Sequence, residues 1–198
     1  MHSIHKYLGY LKQLPGAPDP EAIRDVPQVV FSPESIEKWK CTDDPGELEW
    51  TKASAWVSRT DGAVSLHSDF AAIRRIDNLD RKKPRFWAPL SVTSEEDPRF
   101  PLDCRQFPIV EITYRCVTSH ACPACVWTYS GGAHQIILEP SRDWLTAIML
   151  IPHHDFPASI SRFTLRLYSA WRSKEVLEIA QVRFRGLLPT ETSALAGL

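Results

Sequence analysis

Flat aromatic rings beside planar polar groups are what a protein needs to hold a sugar, and this chain carries seven tryptophans. An aromatic face covers the apolar side of a sugar ring at little entropic cost, while guanidinium, carboxamide and carboxylate groups orient the hydroxyls. The aromatics outside the obvious core phase are Trp87, Trp127, Tyr129, Trp144, Tyr168 and Trp171, with Arg115, Gln135, Arg142 and Arg166 as polar companions. From these, Trp127, Tyr129, Arg142, Trp144, Arg166, Tyr168 and Trp171 form the expected ligand-binding set. Trp144 and Trp171 lie next to turns, which favours exposure. A structural reading competes at every position. Tryptophan is mostly buried, and an arginine within a sheet usually pairs with a neighbour such as Glu111 or Glu178.

Two groups could hold a metal. Cys116, His120, Cys122 and Cys125 fall within RCVTSHACPACVW, where Cys122 and Cys125 are half of a four-ligand zinc site. No second CxxC completes it. A Cys122–Cys125 or Cys116–Cys122 disulfide and plain reduced thiols are the alternatives. Asp61, Asp69 and Glu178 are the carboxylates placed to bind calcium, which takes six to eight oxygen ligands; calcium is the one cofactor the acidic residues suggest. His153-His154-Asp155 pairs imidazole with carboxylate, but Pro152 and Pro157 bracket it as a turn. No G-x-S-x-G, H-E-x-x-H or glycine-rich phosphate loop is present, so the expectation is a protein that binds without catalysing.

Composition narrows the partners. The 23 Lys+Arg nearly cancel the 24 Asp+Glu, so no single-sign field draws a nucleic acid or an anionic bilayer. No apolar stretch reaches the ~20 residues that span a membrane. The first residues lack a secretory leader's apolar core, so the chain as given reads as cytoplasmic. Cysteines are too sparse for a disulfide scaffold.

Positioning these side chains falls to two kinds of element. The first forty residues read as short helices: Ile4, Leu8 and Leu11 repeat at helical spacing, Asp19-Pro20-Glu21 opens a second helix, and Ser32-Pro33-Glu34 caps a third that runs to about Trp39. From Glu47 the period becomes two. Expected strands are Glu47–Ser58, Ala63–His67, Phe86–Val92, Ile109–Val117, Ala124–Tyr129, Ala133–Glu139, Leu145–Ile151, Arg162–Ala170 and Val176–Arg185. Asp61-Gly62 and Gly131-Gly132 read as tight turns, and 70–84 and 93–107 as long loops. Ile112, Tyr114 and Cys116 alternate with polar Thr113 and Arg115, and Phe163, Leu165 and Leu167 alternate with Thr164 and Arg166. One face is buried and one is wet. Short, regularly spaced strands predict an all-β, antiparallel sandwich.

The order Phe31-Ser32, a turn to Trp39, a strand with Trp50, then Asp61-Gly62-Ala63-Val64-Ser65-Leu66 resembles the galactose-binding-like jelly roll. The closing pair, Phe163–Tyr168 and Val176–Phe184, carries the same likeness. That resemblance covers about residues 30–187 and implies the fold of many carbohydrate-binding modules, which often accompany polysaccharide-active enzymes. The expected organisation is a helical extension at 1–28, a jelly-roll sandwich at 29–187 and a flexible tail or linker at 188–198. Carbohydrate is the leading partner. A protein–protein assembly domain is the alternative, and a polysaccharide lyase or hydrolase is the third reading, requiring His, Tyr and Arg clustered on one concave face.

Overall fold

The computed structural model describes residues 20–43, 61–76, 89–116, 122–130, 132–151, 159–168 and 176–196. Helix α1 (Pro20–Arg24) leads through strand β1 (Gln28–Phe31) and helix α2 (Pro33–Glu37) to β2 (Lys40–Asp43). Then come β3 (Asp61–Leu66), β4 (Ala71–Ile76), β5 (Pro89–Thr93), β6 (Leu102–Asp103), β7 (Ile109–Cys116) and β8 (Cys122–Tyr129). The chain continues through β9 (Gly132–Ile137), β10 (Leu145–Leu150), β11 (Ser159–Ile160), β12 (Arg162–Tyr168), β13 (Val176–Arg185) and helix α3 (Pro189–Ala196). Among the described residues no helix is long and apolar enough to cross a membrane. The expected strand Glu47–Ser58, the helix through Leu8 and the His153-His154-Asp155 turn lie outside the described residues.

Every strand pair is antiparallel. Among the described residues one sheet runs β10-β7-β13-β4-β3, with β1 also on β13, a second runs β2-β5-β12-β8-β9, and β11 pairs with β6 as a third, two-stranded sheet. Within them, β4-β13-β7-β10 faces β5-β12-β8-β9, the order that two interleaved Greek keys produce. The molecule is therefore a jelly-roll β-sandwich. Strand β13 is the spine of the six-stranded sheet. One of its edges pairs with β7 throughout, while β4 takes Val176–Ile179 and β1 takes Val182–Arg185 on the other.

Alternation sets the core. Ile112, Tyr114 and Cys116 from one sheet meet Cys125, Trp127, Phe163, Leu165 and Leu167 from the other, all buried. Phe163 and Phe184 cross between sheets edge to face at 5.2 Å, and Phe31 meets Phe184 at 5.9 Å. In β13 the inward residues are Leu177 and Ile179, then Val182 and Phe184, so the phase flips once. A bulge between Ile179 and Gln181 absorbs the extra residue, which keeps both halves apolar-inward.

Three expectations change. Asp61-Gly62 is not a turn but the start of β3, where Gly62 pairs with Arg75. A Cβ there would lie 1.9 Å from Leu90 Cδ1 and 2.6 Å from Cys41 Sγ, so the glycine marks close approach of the two sheets. The 70–84 stretch is not all loop: Ala71 and Ile73 face the core and Arg74 faces water, making Ala71–Ile76 a strand. At the C-terminal end, the segment read as a flexible tail forms α3 and is tied down. Arg185, wholly buried, donates to both carboxylate oxygens of Glu191 at 2.6 and 2.7 Å and to Glu111 at 2.5 Å. Burial opposes the Arg185 charge, but bonds to Glu191 and Glu111 outweigh it and raise the guanidinium above its ordinary value. Ser32-Pro33 does open α2 as expected, with Ser32 as the N-cap residue.

Candidate functional site

The outward positions of the six-stranded sheet build a polar surface with an aromatic end. Arg115 on β7 stands opposite Glu178 on β13, and its Nε donates to Glu178 Oε2. One step along, Thr113 pairs with Thr146 of β10, hydroxyl to hydroxyl at 3.0 Å. Beyond these, Arg183 bonds Glu111 and Gln181, each at 3.2 Å. The β13 bulge is what keeps Gln181 and Arg183 on this same outer face.

Trp144 sits just before β10 and is 39% exposed. The Arg115 guanidinium lies 4.8 Å from its ring centre and 5.6 Å from that of Phe70. Phe70 and His67 come from the β3–β4 hairpin, where the His67 N–H donates to the Phe70 carbonyl at 2.8 Å. Their rings stack at 4.5 Å, and Phe70 meets Trp144 at 5.9 Å. Three chain segments thus hold one indole by its neighbours. Glu178 anchors Arg115, Arg115 spans the two aromatic rings, and Phe70 braces Trp144. Arg115 uses only its Nε on Glu178, leaving both terminal nitrogens unbonded among the described residues. An exposed indole with a fixed guanidinium and flanking hydroxyls can stack a sugar ring and bond its hydroxyls.

The sequence-expected ligand set does not converge on one place. Trp144 belongs to this surface, and Arg142 lies exposed in the turn before it. Trp127 is 1% exposed and fills the core, which removes it as a platform. Tyr129 packs partly buried against that core. Arg166 is on the outer face of the opposite sheet, bonded to Gln135 at 2.7 Å. Trp87 and Trp171, with the side chain of Tyr168, lie outside the described residues.

The three carboxylates of the expected calcium group are spread apart, and only part of the expected zinc group lies within the described residues. Asp61 begins β3, whereas Asp69 lies in the hairpin after its far end, roughly 17 Å or more along the strand. Glu178 is committed to Arg115 in mid-sheet. Cys116 and Cys125 are buried in the core; Cys125 is a free thiol, which excludes the Cys122–Cys125 disulfide, and its Sγ is 3.5 Å from Met149 Sδ. Burial pushes the Cys125 thiol far above its ordinary value. His120 and the Cys122 side chain lie outside the described residues. No group of three or more metal-ligating side chains occurs among the described residues.

Phe70, His67, Thr113 and Thr146 were missed by sequence reasoning. Their signal was faint: Thr113 was visible as an outward position of β7, but its partner Thr146 depends on the β7–β10 register.

No family model matches the chain, and no curated protein does. Among solved structures it is similar to family 29 carbohydrate-binding modules. A variant of one such module is 8% identical, with a TM-score of 0.48 over 83% of this chain and 99% of that one. A CBM29-2 variant complexed with cellulohexaose is 10% identical, with a TM-score of 0.47 over 81% and 91%. A CBM29-2 variant complexed with mannohexaose is 12% identical, with a TM-score of 0.42 over 81% and 92%.

Proposed function

We propose that this chain is a non-catalytic carbohydrate-binding module, an accessory to a polysaccharide-active enzyme, with its ligand face on the outer surface of the six-stranded sheet. The observation that carries the reading is the exposed Trp144 indole fixed beside Arg115, itself held by Glu178. The ring supplies apolar contact, and the guanidinium nitrogens left unbonded among the described residues supply donors for hydroxyls. Thr113, Thr146 and Gln181 extend the polar surface along the sheet. The distribution of titratable groups supports a binding role over a catalytic one. Among the described residues, Tyr114 is in the core, His134 is on the other sheet, and His67 stacks on Phe70, so no His–Tyr–Arg cluster lines one face.

Affinity electrophoresis through gels containing soluble glucans and mannans tests the reading, with calorimetry on cellulohexaose and mannohexaose to give affinities. The expected result is retardation by at least one polysaccharide. Trp144→Ala and Arg115→Ala should each weaken binding by about tenfold or more, which corresponds to about 1.4 kcal/mol. Migration unaffected by every polysaccharide sinks the function; retardation of Trp144→Ala as strong as that of the wild type sinks the site.

A further inference from the structure

A cleft of about 530 Å³ lies between the α2–β2 segment and the loop after β5, lined by Lys38, Lys40, Thr93, Glu96 and the Asp97–Arg99 pair. Its size is within the range of small-molecule sites, about 300–1,000 Å³. It shares no residue with the Trp144 surface.

Part of its lining is already satisfied. Arg99 donates to both carboxylate oxygens of Asp97 at 2.8 and 2.7 Å and to the Val30 carbonyl at 2.8 Å, while Trp39 Nε1 donates to Asp97 at 3.3 Å. That pair neutralises itself and fixes the loop. The rest is not satisfied. Lys40 and Glu96 make no ion pair among the described residues, although both are exposed on the walls. Thr93, 4% exposed and the cross-strand neighbour of Lys40, has a buried hydroxyl with no hydrogen-bond partner among the described residues. Ser91, two residues back on the same face of β5, repeats the deficit. Two unpartnered buried hydroxyls on one strand face are uncommon in a folded protein, because each forfeits its bonds to water.

The lining also selects among ligands. An anion would meet Glu96, and a cation would meet Lys38 and Lys40. A neutral polyol suits both walls, since a hydroxyl donates to the carboxylate and accepts from an ammonium. We propose that this cleft is a second saccharide site, so that the module engages its ligand at two separate places. The inference rests on the carbohydrate reading and adds the second site to it.

Calorimetry of the full chain with cellulohexaose and with mannohexaose counts the sites. The wild type should titrate with two sites for at least one hexaose. Trp144→Ala should leave one, and Lys40→Gln with Glu96→Gln should leave the other. A single site abolished by Trp144→Ala and untouched by Lys40→Gln and Glu96→Gln overturns the inference and leaves the carbohydrate reading standing. No binding by any variant or by the wild type overturns both.

Discussion

Removing the Glu191 carboxylate should destabilise the whole sandwich, although residue 191 lies beyond the last strand. The buried group has two cations, Arg183 and Arg185, and two anions, Glu111 and Glu191. Glu191 receives two guanidinium bonds at 2.6 and 2.7 Å and the Leu188 N–H at 2.9 Å. In Glu191→Ala, Arg185 stays inside with one carboxylate shared between two arginines, so one positive charge has no counterpart. Breaking a buried pair by deleting one partner costs about 3–5 kcal/mol, against about 5–15 kcal/mol for an entire domain. For a chain of this length that amounts to a Tm drop of roughly 6–20 °C. Urea unfolding followed by tryptophan fluorescence measures it, with an unchanged m-value showing that the denatured state is not what moved. The double change Arg185→Met with Glu191→Leu should recover most of the loss, because Glu111 keeps Arg183. A Glu191→Ala loss below about 1 kcal/mol would refute the reasoning and return residues 188–196 to the status of a loose tail.

Other substitutions probe other links. Gly62→Ala should cost about 1–3 kcal/mol by overpacking against Leu90 and Cys41, read as a lower urea midpoint; an unchanged midpoint would mean that the sheets part there freely. Asp97 loses solvation by partial burial, but bonds from Arg99 and Trp39 hold its carboxyl below the ordinary 3.8. Its contribution to stability is complete above that value and disappears as pH falls through the lower folded pKa, because the unfolded chain takes up the proton first. Asp97→Asn should therefore flatten the stability profile below about pH 4, and a parallel profile would contradict the assignment. Cys125 and Cys104, both raised by burial, should resist iodoacetamide at pH 8 in the native protein and react after unfolding, as read by mass spectrometry of peptides.

Much of the fold was legible because strand alternation is a local signal. Phe163–Leu165–Leu167 and Ile112–Tyr114–Cys116 point inward as their period requires, and Ser32-Pro33 opens a helix by its own stereochemistry. What escaped was information held in pairings. Ala71–Ile76 reads as loop beside its charged neighbours and becomes a strand only because β13 and β3 flank it. Gly62 looks like half of a turn until Leu90 is seen to occupy the space a side chain would need. The candidate site follows the same division. Trp144 was found from its place beside a turn, and arginine pairing with Glu111 or Glu178 was anticipated. That Phe70 and Arg115 would close around Trp144 depends on a hairpin tip and a strand far apart in sequence.

The placement of β13 has a consequence for synthesis. Its residues leave the ribosome last among the strands, yet they sit between β7 on one side and β4 with β1 on the other. Until Val176–Arg185 emerges, the β3–β4 and β7–β10 pairs have no common neighbour among the described residues, and β1 has no described strand to join. A nascent chain therefore carries most of its apolar strands unsheltered until near the end of translation, the stage at which chaperone capture matters most. A stop codon only a few residues before Val176 should yield an aggregate rather than a smaller working module.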